Sequence, residues 1–294
     1  MENLADTTAQ TIAQKTKKKT SNWATALFSF GVYNYSVFAL VSFWLFLVPN
    51  QFLPTSLANM KLYSMDAAPI VPSMLEASLR NVGCMLVFGL THSFFARKSI
   101  KRWMALPESV ERSFYCLQSA FFLHMVQKMW AEADNNEYIW DLSTFPVGST
   151  LVLTIFWLGS AITLSATFAL DHFHLFGLSQ GFGMDLNKML GLAPAQSDEG
   201  GMATRWHYRL VAHPIMSGVM LNCWGAVIMT PTRFVLAIFL TVYMVMAVTH
   251  LEEPSLKEEL GAAYAKYLKK TPRFVPSIPY KLKLSTETTG LKDD

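Results

Sequence analysis

The chain has 294 residues, of which 52% are hydrophobic, 13% aromatic and 15% charged, with a net charge of +3. Such a composition, with its apolar residues gathered in long runs rather than alternating or amphipathic patterns, excludes an ordinary soluble domain and a barrel and predicts an all-α polytopic membrane protein. The small net charge implies no nucleic-acid partner, and Cys84, Cys116 and Cys223, all inside apolar runs and without a CxxC pair, give neither a disulfide framework nor a cysteine zinc site.

The polar start, carrying Lys15, Lys17, Lys18 and Lys19, reads as a disordered basic tail over residues 1–22. The apolar run behind it is too long for a signal-peptide core and is expected to be a retained first span. A hydrocarbon core takes about 20 helical residues. Runs of that kind predict spans at Ala26 to Val48, Leu79 to Ala96, Ser113 to Trp130, Ser149 to Leu170, Val211 to Met229 and Phe234 to His250. Only Thr230, Pro231, Thr232 and Arg233 separate the last two, which demands a tight antiparallel hairpin.

Lysine and arginine gather in the N-terminal tail, in Arg97-Lys98 and Lys101-Arg102, around Lys188, Arg205 and Arg209, and in the C-terminal segment. Ala131 to Asp141 instead carries Glu132, Asp134, Glu137 and Asp141 and no basic residue. The positive-inside rule then predicts about six spans with both termini cytoplasmic; it does not choose between the endoplasmic reticulum or nuclear envelope and a bacterial inner membrane. After the sixth span, Pro254 is expected to interrupt the helix and Ser255 to restart it, with Glu258 completing a capping box. Leu256, Leu260, Ala263, Tyr264 and Tyr267 share one face of the restarted helix, which is expected to lie against the membrane surface. Residues 23–280 are expected to form one membrane domain and 281–294 a disordered tail.

On this topology His92, His172, His174, His207, His213 and His250 all reach the cytoplasmic ends of spans, and His124 alone lies deeper. One such histidine is ordinarily an interfacial polar residue, but six at one level make a pocket plausible. Glu252-Glu253 follows the sixth span, where carboxylates oppose the helix dipole by about 0.3 to 1 kcal/mol each, so capping does not account for them. A solvated acidic turn and a cation or ligand site remain as readings. Across the hairpin, His213 precedes Pro214 and is biased out of the helix. The free amides of that helix start, with Arg209 and His213, suit an anion. A zwitterion with one carboxylate and further positive charge matches both groups.

His213-Pro214…Gly218, Glu252-Glu253, Gly261…Tyr264…Tyr267 and Pro272…Pro276 resemble the signature of the membrane methyltransferases typified by isoprenylcysteine carboxyl methyltransferase and the phospholipid methyltransferases. A closer resemblance runs from about Leu79 to Pro276. Leu90-Thr91-His92-Ser93, Val110-Glu111-Arg112-Ser113 with Tyr115, Trp140-Asp141, His172-Phe173, and Leu175-Phe176-Gly177-Leu178 with Gln180 look like the branch containing nurim and methanethiol S-methyltransferase. Two positions depart from the pattern, with Ala212 where the family often has arginine and Met216 where it often has an aromatic residue.

The resemblance implies S-adenosylmethionine as methyl donor, no metal, and a small thiol such as methanethiol as acceptor, converted to dimethyl sulfide beside membrane lipid. It implies that Arg209, His213 and the helix start bearing Gly218 hold the donor carboxylate, and that Glu252 or Glu253 holds its amino group or ribose. Tyr264 and Tyr267 would cover adenine or sulfonium with their π faces, and His92, with Gln180, would act as base or orient the acceptor. Nurim is a nuclear-envelope membrane protein without an established reaction. Such chains lack the acidic pair, so Glu252-Glu253 favours an enzyme over a nurim-like structural protein. A lipid or prenylated acceptor, and a histidine-bound metal oxidase resting on His172 and His174, are the other readings.

Overall fold

A computed structural model describes residues 22–58, 64–134, 137–192 and 206–277, and these are mostly helical. Nearly all of the expected N-terminal tail, the whole C-terminal tail and Arg205 lie outside the described residues.

Helix α1 (Trp23–Leu47) starts where the Asn22 side chain accepts from the Thr25 amide. Strand β1 (Ile70–Val71) precedes α2 (Met74–Ala96), which Ser73 caps in the same way through Glu76, and α3 (Glu108–Met129) follows. Strands β2 (Glu132–Ala133) and β3 (Trp140–Asp141) lead to α4 (Pro146–Leu170), with proline in its first turn. The short α5 (Leu178–Phe182) comes next, then α6 (Pro214–Trp224), strand β4 (Ile228–Met229), α7 (Pro231–Ala247) and α8 (Glu253–Lys270). Strands β1 and β2 pair in parallel and β3 and β4 antiparallel, with Ile70 opposite Glu132 and Trp140 opposite Met229.

The outer and inner faces of the long helices reverse the soluble pattern. Helix α1 buries Ser29, Val32, Ser36, Ala39 and Ser42 and exposes Leu27, Phe28, Phe30 and Phe38. Helix α4 buries Gly159, Ser160, Thr163, Ala166 and Thr167 and exposes Leu151, Trp157, Leu158 and Leu164. Small residues let helices approach while large apolar ones face outward, as expected where lipid is the solvent. Helices α4 and α6 cross at glycines: a Cβ on Gly218 would stand 2.3 Å from Thr163 Oγ1 and 2.5 Å from the Gly159 carbonyl.

Three helical stretches are long and apolar enough to cross a membrane: Trp23–Leu47, Pro146–Leu170 and Pro231–Lys270. The last is 40 residues, about 60 Å at 1.5 Å per residue and roughly twice a hydrocarbon core. The stretch from Pro231 through α7 and the turn that follows to Glu252 is by itself long enough for one crossing. Six crossing helices, expected from the apolar runs, are not what the described residues show. The run from Val211 to Met229 gives a helix of only 11 residues, about 16 Å long. Its ends are drawn into other pairings, since the Ala212 amide donates to the Pro272 carbonyl and Ile228–Met229 pairs with Trp140–Asp141. The turn before α7 is accordingly this extended segment, and Thr230, expected in the turn, caps α7.

The expected break at Pro254 is also absent. Helix α7 widens into a π-helical turn at Val248–Glu252 and passes directly into α8. Such a turn shifts the hydrogen-bond register and accommodates a proline that has no amide to donate. Ser255 donates back to the Leu251 carbonyl inside the helix rather than capping a new one. The chain breaks instead at Gly261, whose φ of 59° and ψ of −136° lie in a region essentially reserved for glycine.

Candidate functional site

Because Pro214 disfavours a helical residue before it, His213 stands just outside α6 with φ −127° and ψ 65°. The backbone there is tied to the segment after α8. The His213 amide donates to the Arg273 carbonyl at 3.0 Å, and Ser217 Oγ donates to the Phe274 carbonyl at 2.7 Å. These bonds fix the buried His213 ring between the two glutamates. Nδ1 is 3.5 Å from Glu252 Oε1, and Nε2 is 3.5 Å from Glu253 Oε1.

The acidic pair divides its work. Glu253 is 1% exposed and receives both hydrogen bonds of an Arg273 fork, at 2.7 and 2.9 Å, with Lys257 Nζ at 3.9 Å. Burial pushes its carboxyl up, but the Arg273 hydrogen bonds and charge, with His213 and Lys257, outweigh that and hold it below the usual carboxylate range. The fork raises Arg273 in turn. Glu252 has a side chain 42% exposed and, among the described residues, only the His213 ring at ion-pair distance. Glu252 is therefore the more open acid of the pair, and Glu253, expected as an equal candidate, is engaged by Arg273.

Among the described residues the buried Tyr264 hydroxyl has no hydrogen-bond partner, and His213 Nε2 has only the long 3.5 Å approach to Glu253. An orphaned buried polar group costs about 1–3 kcal/mol. Gly261 turns the chain so that Tyr264 comes in beneath the glutamates. The Tyr264 ring centroid lies 6.1 Å from that of Tyr267, whose hydroxyl donates to the Tyr208 carbonyl at 2.6 Å. Burial pushes the Tyr267 phenol up to about 12, keeping it a donor.

The other expected site residues are spread around this centre. Arg209 ends the 3-10 turn Trp206–Arg209 and is exposed, four residues before His213. Gly218 faces α4 in the helix crossing rather than the glutamates. Gln180 is buried in α5 with Nε2 donating to the His174 carbonyl, and its Oε1 has no partner among the described residues. His92 lies in the last two turns of α2, between Tyr115 and Ser119 of α3. No hydrogen bond joins it to Gln180.

The remaining histidines do not form one pocket. His172 is held between Thr167 and Tyr33, His207 by Ser165, His124 by Tyr35 and His250 by Thr249. Among the described residues no group of three or more His, Cys, Asp or Glu side chains is arranged to hold a metal ion. Sequence reasoning passed over Arg273, and it quoted Tyr115 only as part of the resemblance, without a role. The signal for the first lay in Thr271-Pro272-Arg273-Phe274, where the rigid proline-rich end returns beside His213.

The phospholipid methyltransferase family model matches residues 147–263, from the start of α4 into α8, and so takes in His213, Gly218, Glu252, Glu253 and Gly261. A methanethiol S-methyltransferase of Pseudomonas deceptionensis is 33% identical over 204 residues, covering 69% of this chain and 74% of that protein. The chain belongs to this family of membrane methyltransferases. A methanethiol S-methyltransferase of Crocosphaera subtropica (strain ATCC 51142 / BH68) is 32% identical over 255 residues, covering 86% of this chain and 92% of that one. Nurim of Xenopus laevis is 28% identical over 171 residues, 56% of this chain and 57% of nurim. No solved structure matches. The methyltransferase resemblance of the sequence is thus shown, and it reaches from the long helices to the cluster around His213.

Proposed function

We propose that this protein transfers the methyl group of S-adenosylmethionine to a small thiol, methanethiol in the first instance, to give a thioether. The observation that carries the reading is the His213 ring held between Glu252 and Glu253, in a cluster where the buried Tyr264 hydroxyl has no hydrogen-bond partner among the described residues. The chemistry of these groups suits an amino-acid zwitterion attached to a nucleoside. Glu252 would take the ammonium or a ribose hydroxyl. Arg209 and the open start of α6 would take the carboxylate, and the Tyr264 hydroxyl a polar atom of the nucleoside. S-adenosylmethionine, when bound, supplies an activated methyl on a sulfonium. The protein then needs to hold the acceptor in line with that methyl, keep water out and remove the thiol proton.

His92 supports the last step. Its helix runs parallel to α7 and α8: Tyr243 donates to the Gly89 carbonyl, and Lys98 pairs with Glu258 and Glu259 at 4.0 and 3.6 Å. His92 lies between these two ties, hence near the level of Glu252. The finer topology belongs to the same proposal, namely about six membrane-crossing segments in a single domain over 23–280, both termini cytoplasmic, and the donor site at the cytoplasmic face beside lipid headgroups. The names of the relatives favour methanethiol over a lipid or prenylated acceptor.

Membranes containing the protein, given methanethiol and S-adenosylmethionine, are expected to release dimethyl sulfide detectable by gas chromatography. Membranes that bind no S-adenosylmethionine saturably, while a methanethiol S-methyltransferase prepared in parallel does, would remove the proposal.

A further inference from the structure

His92 is not bare toward the site. Ser119 Oγ donates to the Tyr115 carbonyl at 2.8 Å and accepts from Gln118 Nε2 at 2.7 Å. With its one proton used, Ser119 can only accept from His92 Nδ1 at 3.0 Å, so the network assigns the ring proton to Nδ1. His92 Nε2 is then an acceptor, and the Tyr115 hydroxyl donates to it at 2.8 Å. The Tyr115 oxygen keeps its lone pairs, and no other described residue bonds to it. Over the Tyr115 ring, with Cζ 5.0 Å from the centroid, lies Arg112. Arg112 Nε donates to the Leu175 carbonyl at 2.6 Å, and its two terminal nitrogens have no hydrogen-bond partner among the described residues. His92 lies near the level of Glu252, between the Gly89–Tyr243 and Lys98–Glu258 ties.

We propose that Tyr115, rather than His92 directly, is the catalytic residue that meets the acceptor thiol, relaying its proton to His92 Nε2 while Arg112 steadies the thiolate. This rests on the methyl-transfer reading and assigns the acceptor side of the site. The thiol S–H bond breaks and its proton goes to the Tyr115 oxygen. The Tyr115 O–H bond breaks in the same step and its proton goes to His92 Nε2, whose Nδ1–H stays on Ser119. The thiolate electron pair forms the new S–C bond to the methyl carbon. The bond from that carbon to the donor sulfonium breaks, and its electron pair neutralises the sulfonium. One positive charge thus leaves the sulfonium and one appears on the His92 imidazolium. No net charge is created in a low-dielectric site, where isolated charge is costly.

The arrangement also bears on acceptor choice. The thiol must approach a tyrosine hydroxyl between the closely packed α2 and α3, which favours a small thiol over a bulky one.

The test uses the full chain in membranes with two thiols of similar size, ethanethiol and the more acidic 2,2,2-trifluoroethanethiol, alongside S-adenosylmethionine binding. Tyr115→Phe is expected to leave donor binding unchanged and to lower kcat for ethanethiol by about 100-fold, the lower end of general-base contributions. The loss should be far smaller for the acidic thiol, which arrives already ionised, and raising the pH should recover ethanethiol turnover. Equal losses for the two thiols, or loss of donor binding in Tyr115→Phe, would overturn the relay. Wild-type protein that binds donor but methylates neither thiol would overturn the acceptor assignment, whereas failure to bind donor at all would overturn the methyl-transfer reading beneath it.

Discussion

The two ends of α7 carry polar clusters of similar composition and opposite character. At its start, Arg233 is 4% exposed and donates to the Leu47 carbonyl at 2.6 Å and to Asp66 Oδ1 at 3.0 Å, while Asp66 Oδ2 accepts from the Asn50 amide. Beside it Glu132 accepts from Trp130 Nε1 and from Thr232. Those side chains are closed upon one another. At the far end the Tyr264 hydroxyl is buried with no hydrogen-bond partner among the described residues, His213 stands at 3.5 Å from both glutamates, and the Glu252 side chain is 42% exposed. Buried charge is tolerated where every group is satisfied, and a cluster left incomplete is where a ligand finishes the network. The first cluster ties segments together, and the second is the one proposed to hold the donor.

Substitution at each end should separate these roles. The largest effect is expected for Arg233→Ala, which empties the place of a buried side chain and leaves the buried Leu47 carbonyl without its donor; the orphaned carbonyl alone costs about 1–3 kcal/mol, and the lost packing adds to it. Thermal unfolding in detergent should record it, and the protein that remains folded should bind donor normally. A stable Arg233→Ala variant with impaired donor binding would reverse the assignment of the two ends.

Glu252→Gln is expected to do the converse. Loss of a charge-assisted hydrogen bond, about 1.5–3 kcal/mol, should weaken S-adenosylmethionine binding by roughly 10- to 100-fold with the melting temperature almost unmoved. Arg273→Ala sharpens the contrast within the site. It releases Glu253 from the fork that holds its carboxyl low, so donor affinity should fall as the pH is lowered into the ordinary carboxylate range, whereas wild-type affinity persists to lower pH. Equal pH profiles would remove the fork from the account. The smallest effect is expected at Gly261→Ala, where no atom obstructs a Cβ but the backbone conformation is strained by about 1–3 kcal/mol. A modest loss of thermal stability should come with weakened donor binding, through displacement of Tyr264.

Much of the candidate site was legible in the chain. His213, Glu252, Glu253, Tyr264 and Tyr267 stand in a recognisable order, and the structure brings His213 within 3.5 Å of both glutamates although about 40 residues of sequence intervene. The division of labour inside the pair was not legible, because it depends on Arg273, which only the fold returns to Glu253. Pro254 misled for a local reason: it reads as a helix breaker, and a π turn upstream absorbs it. Gly218 misled for a tertiary one, since a glycine beside a site motif is indistinguishable in sequence from a glycine where helices cross.

The amino-acid sequence by itself determined that lipid is the solvent and that long stretches are helical, because a hydrocarbon environment forces backbone polar groups to pair within a segment. It also fixed which reactive side chains were present. Tertiary structure alone decided how far each apolar run stays helical, which glutamate remains open, and that His92 is reached through Tyr115. Those outcomes depend on hydrogen bonds between segments far apart in the chain, and no local pattern encodes which distant partner satisfies a given polar atom.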